Sequence, residues 1–178
     1  MKTKLFILIL TGLILNANMF AQKGYTEKIN QLNEQRQKYG LWVDSTKYRI
    51  RETYYKNGVL SGICKVYNTK GRLLVLGEYQ SGLMSGTWFY FKNTGHLWFI
   101  FKDFAKNTDT ITNEGNGKRY VPDYKCYSIS YYSNGNKQDE GTLLWSEGES
   151  PESDFSVEYG EWKYYDEDGS LAKTKTFK

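Results

Sequence analysis

His96 is the only histidine in the chain, so any chemistry that needs an imidazole base must use it. It directly follows Gly95 in a segment that reads as a surface turn, and no Gly-x-Ser-x-Gly elbow accompanies it. A zinc centre needs three or four clustered His, Cys or carboxylate ligands, and one histidine with the distant Cys64 and Cys126 does not supply them. Paired carboxylates could hydrolyse glycosidic bonds. The candidates are Glu147, Glu149, Glu152 and Asp154 in one acidic stretch, and Asp166, Glu167 and Asp168 in another. Neither stretch has the apolar setting that raises one carboxyl into the range of a general acid, so both read as solvated loop charges. Asp166–Gly169 lacks the alternating ligands of a calcium loop, and Gly115-Asn116-Gly117-Lys118 lacks the spacing of a phosphate loop. No catalytic residue, metal ligand or cofactor site is assigned.

The elements that carry these residues follow from composition and repetition. The 178 residues suffice for one domain, and 39% hydrophobic with 25% charged residues excludes a disordered chain. Sixteen Tyr, nine Phe and five Trp accompany 17 Gly and only two Pro. Aromatics suit pleated surfaces and glycine suits tight turns, so the composition points to strands joined by hairpins. The formal charge is +4, falling to +2 without Lys2 and Lys4, which is too small for a nucleic-acid binder driven by bulk charge.

Residues 1–21 read as a signal peptide: two lysines, an apolar run from Leu5 to Leu15, then a more polar stretch ending at Ala21. The run is far shorter than the ~20 residues of a bilayer span. Cleavage between Ala21 and Gln22 predicts a periplasmic or secreted chain, residues 22–178, with no membrane anchor left.

Laying Tyr55–Glu78 over Tyr79–Lys102 gives a gap-free period of 24 residues with six identities. The shared pattern is Gly-x-Trp-x-x-aromatic-x-x-x-Gly-x-Leu. It returns as Gly160, Trp162, Tyr165, Gly169 and Leu171, and in part as Gly40 with Trp42 and as Tyr131 with Gly135. Ten of the 17 glycines fall in this frame. Each unit reads as a strand ending in an aromatic, a short turn, and a second strand leaving with Leu, with positive φ predicted at Gly71, Gly95 and Gly169. Strand alternation puts Trp88, Tyr90, Trp162 and Tyr164 on one apolar face, which predicts core packing for the Trp ladder. The other face is mixed. Exposed aromatics at Phe89, Phe91, Trp98 and Tyr165 are the candidate binding residues.

Residues 26–39 have the propensity of a helix, whereas the repeat frame places a turn at Asn33–Arg36 that feeds Gly40-Leu41-Trp42. The hairpin is the preferred reading. Two stretches, 103–123 and 136–158, break the period and read as solvated insertions.

YKNGVLSG, YQSGLMSGTWFYFKNTGHL and YGEWKYYDEDGSL together resemble the membrane occupation and recognition nexus (MORN) repeat in its bacterial variant form. NEQRQKYGLW is similar to that family's opening unit, with Arg36 where relatives commonly carry glycine. The resemblance covers residues 33–104 and 131–171. It implies an all-β meander of antiparallel hairpins forming an elongated twisted sheet. Members of this group are often labelled antitoxins of toxin–antitoxin systems, which implies a protein partner. GTWFYFKNTGHL is also similar to choline- or glucan-binding repeats, which hold ligands on exposed aromatics. The resulting expectation is an exported, non-catalytic interaction module, antitoxin- or immunity-like or a scaffold. The alternative is a carbohydrate or cell-wall binding module.

Cysteines in an exported chain usually pair. Cys64, however, stands where the repeat places Trp88 and Trp162, and about four strands separate it from Cys126. At ~4.8 Å per strand the two Cα atoms lie beyond the ~7 Å reach of a disulfide. Two free thiols are predicted, unless the sheet curls strongly enough to bring Cys126 over Cys64.

Overall fold

Among the described residues, five turns share one hydrogen-bond pattern, and they set the periodicity of the sheet. In each, the first residue donates its N–H to the carbonyl of the fifth, and the fourth donates back to the first. The turns begin at Asn33, Asn68, Lys92, Tyr132 and Asp166. The fourth residue has positive φ throughout: Arg36 at 61°, Gly71 at 78°, Gly95 at 94°, Gly135 at 91° and Gly169 at 89°. Arg36 therefore adopts the backbone that glycine adopts in its siblings, at a cost of roughly 1–2 kcal/mol for a residue with a Cβ. The first hairpin forms as the repeat frame requires, and no helix occupies residues 27–39.

The computed structural model describes residue 25 and residues 27–112, 117–146 and 155–177. The signal-peptide reading at Ala21 and Gln22 lies outside these residues, as do Glu147, Glu149, Glu152 and Asp154. The described chain forms β1 (Gln31–Leu32), β2 (Lys38–Ser45), β3 (Arg49–Lys56), β4 (Val59–Asn68), β5 (Leu73–Gln80), β6 (Leu83–Phe91) and β7 (Leu97–Lys106). It continues with β8 (Ile111–Thr112), β9 (Arg119–Tyr120), β10 (Tyr124–Tyr131), β11 (Lys137–Ser146), β12 (Phe155–Tyr165) and β13 (Leu171–Phe177). Eleven strands form one antiparallel sheet in sequential order, with only the β8–β9 hairpin set aside. The fold is an all-β meander of hairpin repeats.

Cross-strand register aligns one row of side chains across the sheet. It runs through Trp42, Thr53, Cys64 and Gly77, then Trp88, Phe101, Ser128, Gly141, Trp162 and Lys175. Trp88 and Trp162 are both buried, each 3% exposed, as the core-packing reading requires. The reason is a coupling between neighbouring strands. Trp88 lies directly over Gly77, and its indole N–H donates to the Glu78 carbonyl at 3.1 Å. Trp162 lies over Gly141 and donates to the Thr142 carbonyl at 2.7 Å. A Cβ on Gly77 would stand 2.1 Å from the Trp88 ring, and one on Gly141 2.5 Å from that of Trp162. Where the repeat carries Cys64 instead of Trp, the facing residue on the preceding strand is not glycine but buried Thr53.

This face holds the core, and the sheet curls around it. The Met84 amide on β6 donates to the Tyr124 hydroxyl on β10 at 3.3 Å, across the intervening β7. Phe101 and Trp145, two strands apart, have ring centroids 6.2 Å apart. Cys64 and Cys126 belong to the same buried cluster, four strands apart in sheet order, and they are not joined by a disulfide. Burial pushes the Cys126 thiol up to about 12.

The two stretches that break the repeat period also hold parts of strands. Residues 103–106 complete β7, and residues 137–146 form β11 inside the stretch read as an insertion. The physical reason is that the turn at Tyr132–Gly135 needs a returning strand, and Gly141-Thr142-Leu143-Leu144-Trp145 supplies one. Nor are residues 107–112 and 117–123 merely solvated: Asn107, Ile111 and Pro122 are buried. The Asn107 amide donates to the carbonyls of Asp109 and Pro122, at 2.9 and 3.0 Å, and its oxygen accepts the Asp109 amide. Lys125 pairs with Asp109 at 2.9 Å. These contacts tie residues 107–109 to Pro122 and to Lys125 on β10.

Candidate functional site

The concave face is not filled evenly. Beside Cys64 it opens into a hollow of about 690 Å³, a volume in the range of small-molecule and side-chain pockets. Its floor is apolar, built from Cys64, Val66, Val75, Tyr79, Met84 and Trp88. Tyr90 and Phe99, stacked at 4.4 Å between centroids, form an aromatic wall. Trp98 stands against Phe99 at 4.8 Å and remains 48% exposed at the mouth. Lys92 and Asn93 from the turn between β6 and β7 also contribute, and Arg49 and Arg51 enter from β3.

The repeat explains why the space is here. Over Gly77 and Gly141 the face is packed by an indole. At the corresponding place in the preceding unit stand the small thiol of Cys64 and the Arg51 guanidinium, which donates to the Tyr79 hydroxyl at 2.9 Å. The hollow therefore lies beside a unit that carries Cys64 in place of tryptophan.

The four aromatic residues singled out from sequence do not form one ladder. Phe91 and Trp98 line the hollow. The register shifts between Tyr90 and Phe91, where Trp98 is the extra residue of β7, and such a bulge re-aims neighbouring side chains. Phe89 lies on the convex face between Leu76 and Ile100. Tyr165 lies on that same face four strands away, so it joins neither Phe89 nor the hollow.

Tyr165 belongs to a polar cluster instead. Its hydroxyl donates to buried Glu140 at 2.6 Å, and Lys137 donates to the same carboxylate at 3.0 and 3.1 Å. Burial pushes the Glu140 carboxyl up, but the Tyr165 and Lys137 hydrogen bonds and the nearby lysine charges leave it below its ordinary value. The bond to Glu140 and then burial push Tyr165 up to about 12. Glu52, also buried, accepts from Tyr25 at 2.9 Å. Sequence reasoning passed over both glutamates. It looked for acids in loops, whereas these two sit in strands among aromatics.

Arg49, Arg51 and Lys92 were likewise missed. The available signal was the alternation of Arg49, Arg51 and Thr53 along one face of β3, beside a repeat position holding Cys64 instead of Trp. Asp166, Glu167 and Asp168 are exposed in the β12–β13 turn, where Asp168 accepts from the Ser170 amide and hydroxyl. His96 is exposed, 3.2 Å from the Thr94 hydroxyl. No group of three or more metal-ligating side chains occurs among the described residues.

No family model, no curated protein and no solved structure matches this chain.

Proposed function

We propose that the chain is an exported, non-catalytic interaction module that holds another protein against the concave face of its sheet. The observation that carries this reading is the hollow beside Cys64, with an apolar floor and half-exposed Trp98 at its mouth. An aromatic anchor beside a preformed depression is the usual core of a protein-binding surface. The buried carboxylates Glu52 and Glu140 fit this reading, since they lie six strands apart and each accepts a hydrogen bond from a tyrosine. The resemblance to the MORN-variant group supports an antitoxin- or immunity-like or scaffolding role, and the N-terminal residues support export.

Site-specific photocrosslinking tests the reading. A photoreactive phenylalanine analogue replaces Trp98 in one sample and Thr174, on the far strand β13, in another. The expected result is a discrete protein adduct from position 98 and none from position 174. Equal labelling from both positions would contradict a concave binding face. A second reading, carbohydrate binding, draws on the flat faces of Trp98, Phe99 and Tyr90 around one depression. Retention on insoluble polysaccharide, lost in Trp98→Ala, would favour it.

A further inference from the structure

We infer that the hollow takes an acidic peptide segment carrying one large apolar side chain. This inference rests on the protein-partner reading above and names the chemistry of that partner. Three cations, Arg49, Arg51 and Lys92, line the hollow, and no Asp or Glu is among the described residues that do. Asp44 is the register partner of Arg51, yet it lies outside the lining. Cations gathered around a low-dielectric depression favour a complementary negative group and steer its approach. The floor asks for something different. Val66, Val75, Met84 and Trp88 offer no charge, so only an apolar group gains by filling it.

The two requirements are met together by a segment in which an aromatic or large aliphatic residue enters the hollow and flanking Asp or Glu side chains meet the cations. Arg51 is already fixed by its bond to Tyr79, whereas Arg49 and Lys92 are exposed and placed to meet the flanks. Arginine, with its planar fork, suits bidentate carboxylate recognition. A neutral glycan would stack on Trp98 and leave the charges without use.

The test is selection from a displayed library of random nonapeptides against the protein as the cell processes it. The same selection is run against Arg49→Glu/Lys92→Glu. Enriched peptides are expected to carry net negative charge and at least one aromatic or large aliphatic residue. Their affinity should fall tenfold or more on the charge-reversed variant and on replacing their acids by Gln, with the melting temperature of the variant unchanged. Binding to the parent should also weaken steeply between 50 and 500 mM salt. Enrichment of neutral or basic peptides, or equal binding to parent and variant, overturns the inference. So does failure of any peptide to enrich. Should position 98 still crosslink to a protein in those cases, the protein-partner reading stands while the acidic chemistry falls. Polysaccharide retention without a protein adduct would instead remove both.

Discussion

Trp88 and Trp162 occupy different halves of the sheet, yet each lies over a glycine of the preceding strand and donates to the next carbonyl along. Cys64 occupies the same repeat position and faces Thr53. The difference teaches that the repeating unit is a pair of residues on two strands, not a tryptophan alone. At Trp88 and Trp162 the facing residue on the preceding strand carries no Cβ. Where the indole is replaced by a thiol, a β-branched residue returns and the face keeps an opening.

Removing an indole should produce the largest effect. Trp88→Ala empties a site bounded by Tyr79 and Tyr90, and is expected to destabilise by about 3–5 kcal/mol in denaturant unfolding. Trp162→Ala should fall at the lower end of that range, because Tyr164 is its ring neighbour and Lys175 its register partner on β13. Equal melting of either variant and the parent would remove the Trp ladder from the core. The reciprocal change is the next largest. Gly77→Ala and Gly141→Ala push a methyl against the ring and should each cost about 1–3 kcal/mol through overpacking. A null result at both would break the pairing of indole with glycine.

The turns were the most legible part of the sequence, because one backbone requirement, positive φ at the fourth residue, leaves a glycine that can be counted. Gly71, Gly95 and Gly169 all have the predicted sign. Arg36 shows the limit: the turn forms with a side chain in the glycine slot, since its neighbours fix the register. β11 was less legible because its first residues, Lys137 to Glu140, are polar and charged like a loop. Glu140 is nonetheless buried, under Tyr165. The hollow could not be read from the chain. It depends on the curl of the sheet and on the bulge that places Phe91 and Trp98 in its lining, and strict alternation along a strand misses both.

Turn substitutions give effects of intermediate size. Alanine at Gly71, Gly95 or Gly169 should destabilise by roughly 1 kcal/mol. Arg36→Gly should instead be neutral or stabilise by under about 1 kcal/mol, since relief of strain exceeds the extra entropy lost. Differential melting of the four variants checks both signs at once.

The smallest effect is a pH dependence on the convex face. The Glu140 carboxyl lies below its ordinary value in the fold, so its contribution is complete above the unfolded pKa of about 4.3 and is lost as pH falls through the lower folded value. Tyr165, raised to about 12, has the opposite sign: its contribution is complete below its unfolded value of about 10 and is lost as pH rises toward 12. The stability gap between the parent and Glu140→Gln should therefore narrow as pH drops below 4. A gap that stays constant would show that Glu140 is not held by Tyr165 and Lys137.

The pairing of positions across β3 and β4 can be measured directly by a double-mutant cycle on Thr53→Gly and Cys64→Trp. Placing an indole against a β-branched residue should cost about 1–3 kcal/mol in the single Cys64→Trp variant. If an indole at this position needs a bare facing backbone, that cost must shrink by at least about 1 kcal/mol when Thr53→Gly is present, a coupling of the size contacting residues show. Strict additivity of the two substitutions in urea unfolding would contradict the paired unit, and with it the explanation of why the hollow lies beside Cys64.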